Sequence, residues 1–182
     1  TRKRSSAASD VYKRQEEITQ TVIEQQSTSL SILHSIQKEL QKENIYIIDE
    51  TELSPEQDKF VLDFFIQKVS PSLVTIMIGE LEEFPRLKDS AAYLAVRMKM
   101  SKEDVAFESK INYALIEIPR QIDRFVELPT EGDKQYIIML DNLIRRCLGN
   151  IFSIFNYESI TAHMIKITRD AELDIDSDLS RS

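Results

Sequence analysis

Between residues 16 and 43, apolar side chains recur at helical spacing. Ile18, Val22, Leu33, Ile36 and Leu40 fall near one face, and Ile23 and Leu30 widen the stripe. No proline or glycine interrupts it, so the pattern predicts one long helix. Its middle, QQSTSLS, has weak helix propensity and is expected to depend on packing against a partner. Past residue 44 the pattern changes to short runs. Ile45–Ile48 is a cluster of β-formers ahead of a polar DETE turn and predicts a strand. Ser54, Pro55 and Gln57 then combine an N-cap, a first-turn proline and a capping-box partner. The helix they open buries Phe60, Val61, Phe64, Phe65 and Val69 and ends at Ser70-Pro71.

The second half of the chain reads mostly as strands. Residues 73–78 predict one, closed by Gly79, and residues 80–89 form a charged connector containing Leu81, Phe84 and Leu87. Ala92–Met100 alternates cleanly, with Ala92, Leu94, Val96, Met98 and Met100 facing one way and Tyr93, Arg97 and Lys99 the other. Residues 101–110 read as a polar turn, 112–118 as a strand stopped by Pro119, and 125–128 as a short strand before a PTEGDK loop. Residues 136–140 are β-like and lead into a helix capped by Asp141. Leu143, Ile144, Cys147, Leu148, Ile151 and Phe152 form its buried side, with Arg145 and Arg146 exposed. After the aromatic link at residues 155–157, residues 162–168 form the last strand. Strands mixed with helices, without strict βαβ alternation, predict an α+β fold. It has a long N-terminal helix followed by a mixed, mostly antiparallel sheet domain with packed helices.

Composition narrows the classes. The 182 residues are 42% hydrophobic and 30% charged, as in an ordinary soluble domain. One cysteine, Cys147, excludes an internal disulfide and a cysteine zinc site, and its apolar setting points to a buried structural thiol. No apolar run has the length of a membrane span and no signal peptide is visible, so a cytoplasmic home is expected. The segment SSAASDVYKRQ back-translates into a common sequencing adapter. Residues 1–15 are therefore expected to be a disordered library scar, with the natural N-terminus missing and the chain also cut at Ser182. Removing the scar's five Lys/Arg and one Asp from totals of 23 and 31 leaves 18 basic against 30 acidic residues, a net of −12. A general nucleic-acid surface is thereby disfavoured.

Few chemical constellations survive. Gly79, Gly132 and Gly149 are too far apart for a phosphate loop, and His34 and His163 stand alone, so no metal site is expected. No serine has a nucleophile-elbow context. The acidic run Asp170, Glu172, Asp174, Asp176, Asp178 lacks the glycine and closing glutamate of a calcium loop. One candidate anion site remains at the end of the last strand, where Lys166 and Thr168 share a face and Arg169 follows. The competing reading pairs Arg169 with Asp170 or Glu172 as a strand terminator. Arg145 and Arg146 admit the same two readings, phosphate or carboxylate partners.

From Leu40 onward the chain resembles the polyphosphate kinase family of the long bacterial type. The segments that carry the resemblance are LQKENIYIIDETELSPEQ, YLAVRMKM, YALIEIPRQIDRFVELP, IIMLDNLIRRCLGNIF and IKITRDAELDID, in the family's order and spacing. The resemblance implies that residues 16–43 are the last helix of a truncated N-terminal helical domain and 44–182 most of the head, or middle, domain. It implies an ATP- and magnesium-dependent transferase, a phosphoprotein that extends polyphosphate through a phosphohistidine. That histidine lies beyond this segment; neither His34 nor His163 matches its motif, and no catalytic residue is expected here. The fragment alone is expected to be inactive and to bind no cofactor. Its expected part is domain packing, homo-oligomer contacts and the shape of the polyphosphate path, with Lys166, Thr168 and Arg169 as a phosphate-path or structural anchor. A non-catalytic interaction module without a kinase half is the alternative.

Overall fold

The computed structural model describes residues 2–78, 85–101 and 111–167, with side chains from residue 12 onward. The chain divides into two compact units, Thr1–Tyr46 with Gly132–Lys134, and Ile47–Glu131 with Gln135–Ser182. The first is dominated by helix α1, Arg2–Lys42. It begins well ahead of residue 16, so residues 2–15 are helical where disorder was expected. They contain two alanines and neither glycine nor proline, so nothing in them stops the helix from continuing. Asn44, at φ 60°, ends the helix, and the amides of Glu43 and Asn44 reach back to the carbonyls of Leu40 and Gln41 at 2.9 and 3.1 Å. Asparagine tolerates this left-handed position better than most side chains. The apolar stripe forms as the periodicity predicts but is not buried, since Ile18, Val22, Ile23, Leu30, Leu33 and Ile36 are 44% to 66% exposed.

In the second unit, the turn after β1 (Ile45–Ile48) is tied by Asp49, whose Oδ1 accepts from the amide and the hydroxyl of Thr51 at 2.8 and 2.6 Å. These two bonds hold the Asp49 carboxyl below its ordinary range. Helix α2 (Pro55–Phe64) starts as the sequence predicts, with Ser54 accepting from the amide of Gln57 and Gln57 returning a bond to the amide of Ser54. Such a box contributes about 1 kcal/mol. The helix then widens into a π-turn, Phe65–Val69, and tightens into a 3₁₀ turn, Ser70–Ser72, where Pro71 prevents regular continuation.

Two sheets follow. One has three strands in the order β1, β6, β5, where β5 is Phe125–Glu131 and β6 is Lys134–Met139. The expected PTEGDK loop is mostly strand, and only a tight turn at Gly132, φ +62°, remains. The other sheet has the order β2 (Val74–Met77), β4 (Ile111–Glu117), β3 (Ala92–Met100), β7 (Tyr157–Lys166), and every neighbouring pair in it is antiparallel. Residues 79–84 and 102–110, read as connectors, lie outside the described residues.

Strand β3 is central and buried on both faces at one end. Leu94, Val96, Met98 and Met100 point into the core as the alternation requires, but Tyr93 is also only 1% exposed. On that second face Tyr93 joins Leu87, Ala91 and Leu115, with Ile76, Ile78, Ala95, Ile165 and Ile167 against them. Its hydroxyl accepts from the amide of Lys88 at 2.9 Å, so Tyr93 pins the returning segment over the sheet. Period-two alternation alone cannot show that a loop folds back over half of the polar face.

Helix α3 (Leu140–Arg146) is followed by α4 (Leu148–Ile151), with a break at Cys147. Asp141 is not the cap. Met139 occupies that position, and Asp141 lies in the first turn, 6% exposed, with Oδ2 3.6 Å from Arg145. Strand β7 begins at Tyr157, five residues before the expected start, and ends at Lys166.

Candidate functional site

The adjacent arginines of α3 are already committed. Arg146 makes a forked pair with Asp58 of α2 at 2.5 and 2.7 Å, which raises the guanidinium's affinity for its proton. Arg145 donates to Glu50 at 3.3 and 3.4 Å, to Asn142 at 2.5 Å and to the carbonyl of Ala162 at 3.1 Å. The carboxylate reading of the two arginines is the one the structure bears out.

Cys147 is fully buried and burial pushes its thiol up to about 11. The thiol is inert at neutral pH. Because the folded value exceeds that of the unfolded thiol, the folded state holds its proton through a range where the unfolded chain has lost it. Stability should therefore fall as pH rises from about 9 to about 11. Urea denaturation across that range should show a part of the loss that Cys147→Ala lacks; identical pH profiles for the two proteins would refute this.

Lys166 occupies the last position of β7, opposite Ala92 of β3, and Ala92 accepts from the amide of Ile118 at 3.0 Å. Lys166, Ala92 and Ile118 thus form one cross-strand row on one face of the sheet. Ala92 and Ile118 also line a cleft of about 200 Å³, together with Ser90, Pro119, Arg120, Ile122 and Arg124. Pro119 ends the β4 segment, and the IPRQIDR stretch carries the two arginines around the opening. Buried Ile118 and Pro119 make an apolar floor, whereas Ser90, Arg120, Arg124 and Lys166 are exposed.

The rim is held by its own bonds. Arg120 donates to the carbonyl of Asp89 at 3.3 Å, and Arg124 lies 3.8 Å from the sulfur of Met164, two residues before Lys166 on the same strand. Ser90 has φ 56°, a left-handed conformation unusual for serine, and its amide donates to the carbonyl of Ile167 at 3.0 Å. Among the described residues, neither arginine nor Lys166 is paired with a carboxylate. Asp89 is the acidic group at the rim, and Ser90 donates to it at 3.3 Å. Asp123, between the arginines in sequence, lines a different groove with Phe64, Lys68 and Phe125.

The structure sets Lys166 in one cross-strand row with Ala92 and Ile118 of the cleft lining, while Thr168 and Arg169 lie outside the described residues. Arg120 and Arg124 were missed in the chemical reading of the sequence. The available signal was two arginines four residues apart directly after a strand-ending proline, in a segment read only as a strand stop and as part of a family segment. His34 and His163 are both exposed and stand apart from this cleft's lining. Among the described residues no group of three or more His, Cys, Asp or Glu side chains is placed to hold a metal.

The same fold occurs in a solved enzyme. The crystal structure of polyphosphate kinase from Porphyromonas gingivalis matches 82% of this chain and 24% of its own, with a TM-score of 0.71 and 27% identity. Residues 56–182 match the family model described as the polyphosphate kinase middle domain, and the chain belongs to that family. The polyphosphate kinase of Vibrio cholerae is 39% identical over 142 residues, 75% of this chain and 19% of that protein. That of Escherichia coli K12 is 35% identical over 151 residues, 79% of this chain and 21% of that protein. The chain thus spans about a fifth of the length of the curated relatives it matches. No helix among the described residues is long and apolar enough to cross a membrane.

Proposed function

We propose that this chain is the middle-domain segment of a polyphosphate kinase, which moves the terminal phosphoryl group of ATP to a growing polyphosphate chain. The observation that carries this reading is the family match over residues 56–182. In the whole enzyme the phosphoryl group passes first to a histidine nitrogen, releasing ADP, and then to the terminal oxygen of polyphosphate. Neither step uses His34 or His163. ATP, magnesium and a homo-oligomeric, cytoplasmic enzyme belong to the same reading, and none of the described residues is assigned to the metal. Catalysis of this kind depends on positioning and on positive charge around the reacting oxygens. This segment contributes positioning through domain packing and oligomer contacts, with Lys166, Thr168 and Arg169 as a phosphate-path or structural anchor.

A chimaera tests the reading. The corresponding segment of the Vibrio cholerae enzyme would be replaced by residues 40–182 of this chain, and ATP-dependent polyphosphate synthesis measured. Synthesis well above that of an enzyme lacking the segment is expected. A soluble, cooperatively folding chimaera no more active than the deletion would overturn the assignment.

A further inference from the structure

We propose that the cleft lined by Arg120, Arg124 and Ser90, with Lys166 on its flank, binds an inorganic oligophosphate. The choice of oligophosphate rests on the phosphoryl-transfer reading above; the anion-binding property rests on the cleft itself. Among the described residues, Arg120 and Arg124 line this opening and Lys166 stands in the cross-strand row beside it, with Asp89 the neighbouring carboxylate, on a chain whose formal net charge is −8. Charges on such a protein are ordinarily consumed by neighbours of opposite sign, as Arg145 and Arg146 are by Glu50 and Asp58. Among the described residues Arg120 and Arg124 are not so consumed, and each guanidinium retains donors for phosphate oxygens.

The fold holds these groups in place. Arg120 is tethered through the carbonyl of Asp89, and Ser90 bonds the carbonyl of Ile167, just past β7, through its amide, while its hydroxyl donates to Asp89. Lys166 is fixed in register opposite Ala92. The ligand class follows from the lining. Among the described lining residues there is no aromatic side chain to stack on a base. The volume, about 200 Å³, is below the roughly 300–1,000 Å³ of sites that enclose drug-sized organic ligands. A short run of phosphates suits an apolar-floored opening with cations on its sides, and a nucleoside does not.

The test is a calorimetric titration of the 182-residue chain with sodium tripolyphosphate, ATP and orthophosphate in parallel at low salt. Tripolyphosphate should bind most tightly, ATP no better than tripolyphosphate, and orthophosphate most weakly. Arg120→Gln or Arg124→Gln should each weaken tripolyphosphate binding roughly tenfold. The pair Arg97→Gln with Lys99→Gln, which removes twice that charge from the opposite face of β3, should change it less than about threefold, as expected of a diffuse charge effect. A loss from that pair as large as from either single arginine substitution, or no binding by the parent chain, would overturn the site. Tighter binding of ATP than of tripolyphosphate would overturn the ligand assignment in favour of base recognition. A measurement on the unmutated protein guards against misfolded variants. Amide shifts on adding tripolyphosphate should concentrate at residues 90–92, 118–124 and 166, and shifts concentrated elsewhere would refute the proposal. The titration reads no catalysis, so its failure leaves the family reading standing; an inactive chimaera would equally leave the cleft's binding untouched.

Discussion

Replacing Phe152 by alanine is expected to destabilise the second unit by about 3–5 kcal/mol. Phe152 is 1% exposed and is among the largest fully buried side chains. It closes helix α4, and its ring lies 6.1 Å from that of Phe155, centroid to centroid. Removing the ring forfeits the transfer of its apolar surface from water and leaves a void that the flanking helix and strand cannot fill without moving. Ile154, two residues on and 85% exposed, provides the contrast, since Ile154→Ala should change stability by less than about 0.5 kcal/mol. Equilibrium urea denaturation of both variants decides the matter. Similar midpoints for the two would show that the hinge between α4 and β7 is not a packed part of the core.

Arg145→Ala should cost about 3 kcal/mol, the lower end of the range for breaking a buried pair, because its side chain is still 23% exposed. The guanidinium joins three elements. It donates to Glu50 in the turn after β1, to Asn142 within α3 and to the carbonyl of Ala162 in β7. Its loss leaves the Asp141 carboxylate, 8% exposed, without its neighbouring cation, and Asp141 Oδ1 already has no partner among the described residues. Arg145→Lys should recover less than half of the loss, because one ammonium cannot span the three directions that the planar fork reaches. Chemical denaturation checks both variants. A full recovery by lysine would show that charge alone, rather than the fork, holds the three elements.

Local signals carried well where one element's own residues decide its structure. The Ser54–Gln57 capping box, the strand Ala92–Met100 and the buried stripe of Leu143, Ile144, Cys147, Leu148 and Phe152 all form as their spacing requires. The errors have a common origin in contacts between distant residues. Asp141 looked like a cap because its type suits one, but its side chain is drawn toward Arg145 and the helix starts two residues earlier than such a cap would place it. Tyr93 looked solvent-facing because strand alternation says nothing about the segment that returns over it. The PTEGDK stretch reads as loop from its composition, yet pairing extends β5 and β6 to a tight turn at Gly132.

The candidate site divides in the same way. The sequence pointed to Lys166 as a cation at the end of a strand, and the family's segments named the class of chemistry. Neither brings Lys166 to Arg120 and Arg124, which stand more than forty residues earlier in the chain. The antiparallel register of β3 with β7 does so, together with the bond from Ile118 to Ala92, by setting three distant backbones side by side. What the sequence by itself determined was the α+β class, the positions of most helices and strands, and the family. What only the tertiary structure decided was which charges are neutralised and which stay available. A side chain's charge is written in its residue type, but its partner depends on strands and helices that meet only after folding.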